Sequence, residues 1–193
     1  LALFVPICVT LIALSGPLLE AWLGDRYGAG ELALAILVSY WLLYGGLVVT
    51  PGFLVGAGRA REVARIMLVV AAANLALSLS LTPELGLEGP AVATALPFFL
   101  AFPVLLRLGL RASGAPLAEV VKRAYLPALS LGAALAAGLV TLRLLADLDS
   151  TVAALGVAAG GVLAYWLAFY TLVLEPEERA LVRGLARSAA SDA

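Results

Sequence analysis

Six runs of mostly apolar residues dominate this chain, and each is about as long as a helix that crosses a membrane. A helix of about 20 residues spans the hydrocarbon core of a bilayer. The runs are continuous and rich in alanine and leucine, which favour helices, whereas strands of a membrane barrel alternate apolar and polar residues. The sequence therefore predicts an all-α integral membrane bundle of six transmembrane helices. They cover residues 1–19, 32–55, 63–81, 90–108, 124–145 and 151–174.

The composition excludes several other classes of protein. Hydrophobic residues make up 63% of the 193 residues and charged residues 13%, whereas soluble domains carry about 25% charged residues. A soluble enzyme, a disordered tail and a nucleic-acid-binding domain are therefore excluded. The chain has no histidine and only one cysteine, Cys8, which excludes an internal disulfide, zinc chemistry and histidine-based catalysis. We expect no catalytic residue, no metal, no cofactor and no nucleic acid, with membrane lipid as a partner.

The basic residues lie almost entirely on one side of the predicted bundle. Of the 12 lysine and arginine residues, only Arg26 and Arg143 fall on the other side. Loops rich in lysine and arginine stay in the cytoplasm. The first helix is therefore predicted to begin in the cytoplasm and the C-terminus to end there, in a multi-pass protein of the cell (inner or plasma) membrane. The cytoplasmic set comprises Arg59, Arg61, Arg65, Arg107, Arg111, Lys122, Arg123, Arg179, Arg183 and Arg187.

Two segments are predicted to lie on the cytoplasmic surface. Residues 116–123 begin with a proline, which suits the first turn of a helix, and they end in Lys122 and Arg123. Residues 176–188 place apolar side chains among charged ones at helical spacing, so residues 175–193 are predicted to form a cytoplasmic amphipathic tail. An ordinary juxtamembrane tail is the alternative for this second segment.

Prolines and glycines inside the predicted helices suggest bending and close packing. Two prolines lie inside the fourth helix, where proline removes a backbone hydrogen bond and permits a kink. The pairs Gly52 with Gly56 and Gly156 with Gly160 have the spacing that lets membrane helices approach closely. Bent helices with such seams suit a rocking transporter, and they suit other membrane bundles as well.

A few mildly polar residues lie deep inside the predicted helices and are candidates to line a substrate cavity. Tyr40 and Tyr44 share a face of the second helix, roughly 13–20 Å inward from its start at about 1.5 Å per residue. Asn74 and Ser78 share a face of the third helix, and Thr94 lies in the fourth. The alternative is that these hydroxyls and the amide form hydrogen bonds with neighbouring helices.

Arg59, Arg61 and Arg65 form a basic group at the cytoplasmic start of the third helix. This position makes them candidates to attract anionic lipid or a pyrophosphate-bearing substrate, although the topology rule alone also explains them. Arg107 and Arg143 lie near helix ends, where a long side chain is expected to snorkel to the interface, with phosphate contact as the alternative. Most helices have no ionisable group near the middle, which argues against coupling machinery in this chain.

Two stretches resemble the pattern of a known family. Residues 16–27 read GPLLEAWLGDRY, and residues 82–94, after Asn74, read TPELGLEGPAVAT. Wzx-like oligosaccharide flippases, among the polysaccharide biosynthesis proteins, have a similar P-L-x-x-x-W-x-G-x-x-Y turn and a similar P-x-x-G-x-x-G-A-A-x-A-T turn. They belong to the superfamily of multidrug, oligosaccharidyl-lipid and polysaccharide exporters. The resemblance runs from the first helix into the fourth and departs at Pro90, where the pattern more often has alanine.

This resemblance implies a fold and a function. Members of the family have two related bundles, so the chain is expected to be a C-terminal fragment resembling the C-terminal bundle of a MATE-like transporter, with the N-terminal bundle missing. The expected activity is export or flipping of lipid-linked oligosaccharide by alternating access, without covalent chemistry, and so without enzyme activity. Two alternatives stay open. One is a multidrug or metabolite exporter of the same superfamily, and the other is a non-transporting membrane module of a glycan-synthesis complex.

Overall fold

The computed structural model describes residues 1–145 and 151–191, and those residues form helices and turns without a strand. The α-helices are α1 Phe4–Ala13, α2 Ser15–Leu23, α3 Glu31–Ser39, α4 Trp41–Tyr44, α5 Thr50–Gly56, α6 Ala60–Leu85, α7 Glu88–Ser113, α8 Leu117–Val120, α9 Leu126–Leu145, α10 Thr151–Ala168 and α11 Pro176–Ser191. Tighter 3₁₀ turns cover Asp25–Gly30 and Gly45–Leu47, and wider π-helical turns cover Val121–Tyr125 and Phe169–Val173.

Successive helices join into stretches that are long and apolar enough to cross a membrane. In the described part of the chain there are five, or six if the bent pair α1–α2 counts as one span. The five are Arg26–Gly56, Ala60–Leu85, Glu88–Ser113, Leu117–Leu145 and Val152–Val173. The prediction of an all-helical chain with long apolar helices is confirmed, and most of these helices extend beyond the predicted bounds.

Large apolar side chains cover the outside of these helices. Leu68 and Leu79 on α6 are each 71% exposed, and Leu144 on α9 is 79% exposed. Soluble monomers rarely leave extended apolar patches in contact with water. The chain therefore has the architecture of a multi-pass membrane protein whose outer surface suits lipid tails.

The first predicted helix, residues 1–19, is broken in the structure. The axes of α1 and α2 meet at 81°, on either side of Leu14. Pro17 causes the break, because proline has no N–H for the carbonyl of Ala13 four residues earlier, and its ring clashes with that carbonyl. The prediction of one continuous helix here is wrong, although Ser15-Gly16-Pro17 is a recognisable interruption of the apolar run.

The α6–α7 hairpin is the most regular part of the fold. Gly86 ends α6 with a φ of 60°, a conformation that favours glycine, and α7 begins two residues later at Glu88. A Cβ at Gly89 would lie 2.7 Å from the backbone of Leu81, so the two helices touch directly after the turn. Gly86 therefore allows a tight turn between the two helices, and α7 continues through Pro97 and Pro103.

α1 lies at the centre of the bundle. Val5 of α1 packs with Ala128 of α9 and Tyr165 of α10. The irregular second span, α3 to α5, packs on another side of α1. The second span also packs on α7, where Tyr44 contacts Leu105. α6 packs mainly on α7 and α5. α7 therefore separates most of α6 from the centre, and it faces both spans that carry the candidate tyrosines and asparagine.

The glycines at which helices approach closely are not the ones predicted from the sequence. In the described part of the chain, no neighbouring atom is within 4 Å of a Cβ built at any of the four glycines of the two predicted pairs. Close approach occurs instead at Gly132, where a Cβ would lie 2.5 Å from Val5 Cγ1, and at Gly161, 3.1 Å from Leu139 Cδ2. The prediction that the 52–56 and 156–160 pairs form packing seams is therefore wrong within the described residues.

The two predicted surface segments are both helical. Residues 117–123 belong to the single stretch Leu117–Leu145, so they form the first turns of the fifth candidate span rather than a separate surface helix. Pro116 immediately precedes this helix, as predicted. The tail forms α11, and its attachment to the membrane stays a prediction because the side chains of Arg183 and Arg187 lie outside the described residues.

Candidate functional site

The break between α1 and α2 is held by a charged side chain from a distant helix. Arg143, near the end of α9, places its Nη1 atom 2.8 Å from Glu31 Oε1 at the start of α3. The same Nη1 donates to the backbone carbonyl of Ala13, at the end of α1, over 3.3 Å. Arg143 therefore replaces the helical hydrogen bond that Pro17 cannot make.

The Glu31 carboxylate accepts hydrogen bonds on the other side of the break, at the start of α2. Ser15 Oγ lies 3.3 Å from Glu31 Oε1, and the backbone N–H of Gly16 also donates to this carboxylate. A carboxylate at a helix start and a guanidinium at a helix end both match the partial charges of those ends. A Cβ at Gly16 would lie 2.8 Å from Glu31 Oε2, so a larger residue there would displace this carboxylate.

Sequence reasoning missed this ion pair. Arg143 was expected to snorkel to the interface or to contact phosphate; in the structure its side chain is about one-third exposed and bonds to Glu31. Pro17, two residues after Ser15, is a sequence signal that predicts a break in the helix here. The partner was not predictable from spacing, because 112 positions separate Glu31 from Arg143 along the chain.

Both candidate tyrosines pack against α7. Tyr40 stacks on Phe98 with ring centroids 4.8 Å apart and planes 10° apart, and Tyr44 meets the same ring edge-on at 5.1 Å. Trp41 extends this aromatic cluster by stacking on Phe4 of α1 at 5.3 Å. Tyr44 is buried, whereas Tyr40 is half-buried and keeps part of its surface available.

The candidate amide and hydroxyl form one contact between α6 and α7. Asn74 Nδ2 donates to Thr94 Oγ1 over 2.9 Å, and Thr94 Oγ1 donates to the carbonyl of Pro90 over 2.9 Å. Ser78 lies one turn further along α6, and Phe98 one turn further along α7. The five cavity candidates therefore lie on α7 or on helices that pack against it, and the alternative interpretation of Asn74 as an interhelical donor describes its present contact.

Replacing Asn74 by alanine is expected to lower the free energy of unfolding by about 1 kcal/mol, since interhelical hydrogen bonds in membranes contribute about 0.6–2 kcal/mol. Thr94→Val should cost a similar amount, and the double variant should cost less than the sum of the two. Reversible unfolding in mixed micelles measures all three. Ser80→Ala is the matched control, because among the described residues Ser80 bonds only within its own helix, to Ala76. Strict additivity would show that the two side chains do not interact.

The three arginines at the start of α6 have different environments. Arg59 forms a two-pronged ion pair with Glu62, at 2.8 and 3.0 Å, and also reaches the carbonyl of Leu108 on α7 over 3.4 Å. Arg61 and Arg65 are exposed, and neither has an ionic partner among the described residues. The predicted group is therefore divided into one structural arginine and two available ones.

Five clefts on the described part of the chain are lined by residues other than the five cavity candidates. The candidates lie on α7 or on helices packed against it, but they line none of these five clefts. Comparison with protein-family models, with curated proteins and with solved structures gave no match. The described residues thus form an all-helical chain with five or six candidate membrane spans, the first of them broken.

Proposed function

We propose that this chain is part of a transporter that moves lipid-linked oligosaccharide across a membrane by alternating access. The observation that carries the proposal is the broken first span, with Arg143 bonded to the end of α1 and Glu31 to the start of α2. Broken helices are typical of transporters, where free helix ends bind charged groups and allow one part of a bundle to move against another.

The substrate class rests on two further observations. Residues 16–27 and 82–94, which resemble the flippase pattern, coincide with the helix break and with the α6–α7 turn. The half-buried ring of Tyr40 and the amide of Asn74 are groups that stack on sugars and hydrogen-bond to them. In this proposal they supply one wall of a cavity, and an N-terminal bundle supplies the other.

Transport is testable in vesicles that contain the full-length protein. The substrate is a polyprenyl-diphosphate-linked sugar with a fluorescent group, whose exposure outside the vesicle is read by chemical quenching. We expect flipping above the rate of protein-free vesicles. Tyr40→Ala should slow it about fivefold, the rate equivalent of about 1 kcal/mol of ring stacking. Tyr170→Ala, which removes a ring outside the aromatic cluster, is the matched control. A rate equal to that of empty vesicles would contradict the proposal.

A non-transporting role in a glycan-synthesis complex is the second candidate. It is favoured by the packing of Tyr40, Tyr44 and Phe98, whose rings fill the space between the second span and α7. In that case vesicles would show no flipping, while a glycosyltransferase would copurify with the protein. A multidrug exporter would instead move a lipophilic cation in the same vesicles.

A further inference from the structure

An apolar groove runs between α6 and α7 on the surface of the hairpin. Its volume is about 320 Å³. Val69 and Leu100 form open edges, each 67% exposed, and the small side chain of Ala73 leaves space between the helices. From Arg65 to Ala73 the groove follows nine residues of α6, and the eight steps between them cover about 12 Å at about 1.5 Å per residue.

One end of the groove is positively charged. Arg65 is the charged member of its lining, and Arg61 lies one turn before it. Both are exposed and without an ionic partner among the described residues, whereas Arg59 is occupied by Glu62. Arg107, also exposed, lines a separate cleft with Pro103 and Arg111.

This arrangement matches an amphiphile with a negative head and a long apolar tail. Guanidinium groups bind phosphate oxygens with two parallel hydrogen bonds, and arginines near a membrane surface attract anionic lipid. The remaining lining is apolar, so it offers nothing to recognise a sugar or a peptide backbone. We infer that the α6–α7 groove binds an anionic phospholipid, with its phosphate at Arg61 and Arg65 and one acyl chain along the groove.

This lipid site is independent of the transport proposal. The groove does not include Tyr40, Asn74 or the Glu31–Arg143 pair. Lipid binding with no flipping would therefore leave the inference standing, and flipping without lipid binding would overturn the inference alone.

Native mass spectrometry of the full-length protein in detergent tests the charged end. Phosphatidylglycerol and phosphatidylcholine with identical acyl chains are titrated separately. In the double variant Arg61→Gln with Arg65→Gln, we expect the affinity for phosphatidylglycerol to fall about tenfold and that for phosphatidylcholine to stay unchanged. Lys122→Gln with Arg123→Gln removes the same charge from another basic segment and should leave both affinities unchanged. An equal loss in this control would overturn the inference, because it would indicate general surface electrostatics.

The apolar part of the groove needs its own test. Ala73→Phe places a ring in the groove and should weaken the binding of both lipids, whereas Ala72→Phe places the same ring on an exposed neighbouring position outside the lining. Circular dichroism checks that each variant keeps its helices. Unchanged lipid binding by Ala73→Phe would overturn the inference. A photo-crosslinker at Val69 should form adducts with phospholipid, and adducts with a protein segment would show a different occupant.

Discussion

Replacing Arg143 with methionine is expected to lower the free energy of unfolding by about 2 kcal/mol, the usual range for a hydrogen bond to a charged group. The change leaves the Ala13 carbonyl without its side-chain donor and the Glu31 carboxylate without its counter-ion. Reversible unfolding in mixed micelles measures the loss. Arg61→Met is the matched control, because Arg61 is exposed and unpaired among the described residues, and it should change stability by less than about 0.5 kcal/mol.

Exchanging the two charges distinguishes a simple ion pair from stabilisation of helix ends. Glu31→Arg combined with Arg143→Glu keeps opposite charges at the same positions. It also brings an arginine to the start of α2 and a glutamate to the free carbonyl of α1, where both charges oppose the helix ends. We expect the exchanged variant to be no more stable than Arg143→Met. Recovery to wild-type stability would contradict the role assigned to the helix ends.

This pair also bears on the proposed motion. If α1 and α2 rock against one another during transport, the contact between Glu31 and Arg143 opposes any change in their 81° angle. The same variants in the vesicle assay therefore separate stability from transport. A variant that still folds but changes the flipping rate would connect the break to the transport cycle.

The second large effect is expected at the α6–α7 turn. Gly89→Ala should destabilise the chain by about 3 kcal/mol, the upper part of the range for overpacking. The added Cβ would lie 2.7 Å from the carbonyl carbon and oxygen of Leu81 and from the nitrogen of Thr82. These are backbone atoms, so no change of side-chain rotamer relieves the contact, and the hairpin has to open.

Gly156→Ala is the matched control for this second prediction. It adds the same methyl group within α10, where no described atom lies within 4 Å of the new Cβ. Alanine is a better helix former than glycine by about 1 kcal/mol, so stability should stay unchanged or rise slightly. Equal destabilisation by the two substitutions would show that the close contact at Gly89 is not the cause.

At the candidate site, the spacing of residues along the chain predicts which side chains share a helix face, but not what they contact. The spacing of Tyr40 and Tyr44 predicts that they share a face, and both rings do meet Phe98. The spacing does not say that another aromatic ring occupies that face, because Phe98 comes from a helix more than 50 residues away. Likewise, Asn74 was one of several polar candidates until α7 brought Thr94 within 2.9 Å of it.

The arginines illustrate the same difference. Their clustering near the start of α6 is visible along the chain, but only packing shows that Arg59 is engaged with Glu62 and Leu108 while Arg65 lines a groove. A charge at a known sequence position has no known partner until the neighbouring helices are placed.

Long apolar runs determine the helices of this protein, because in lipid a chain must satisfy its own backbone hydrogen bonds within each segment. Pro17 likewise determines locally where the first span breaks, since a missing N–H acts within four residues. The angle of that break, the pairing of Glu31 with Arg143 and the aromatic packing on α7 were decided by tertiary structure. Each of them depends on a side chain that is distant in the sequence and that packs against the local structure or pairs with its charge.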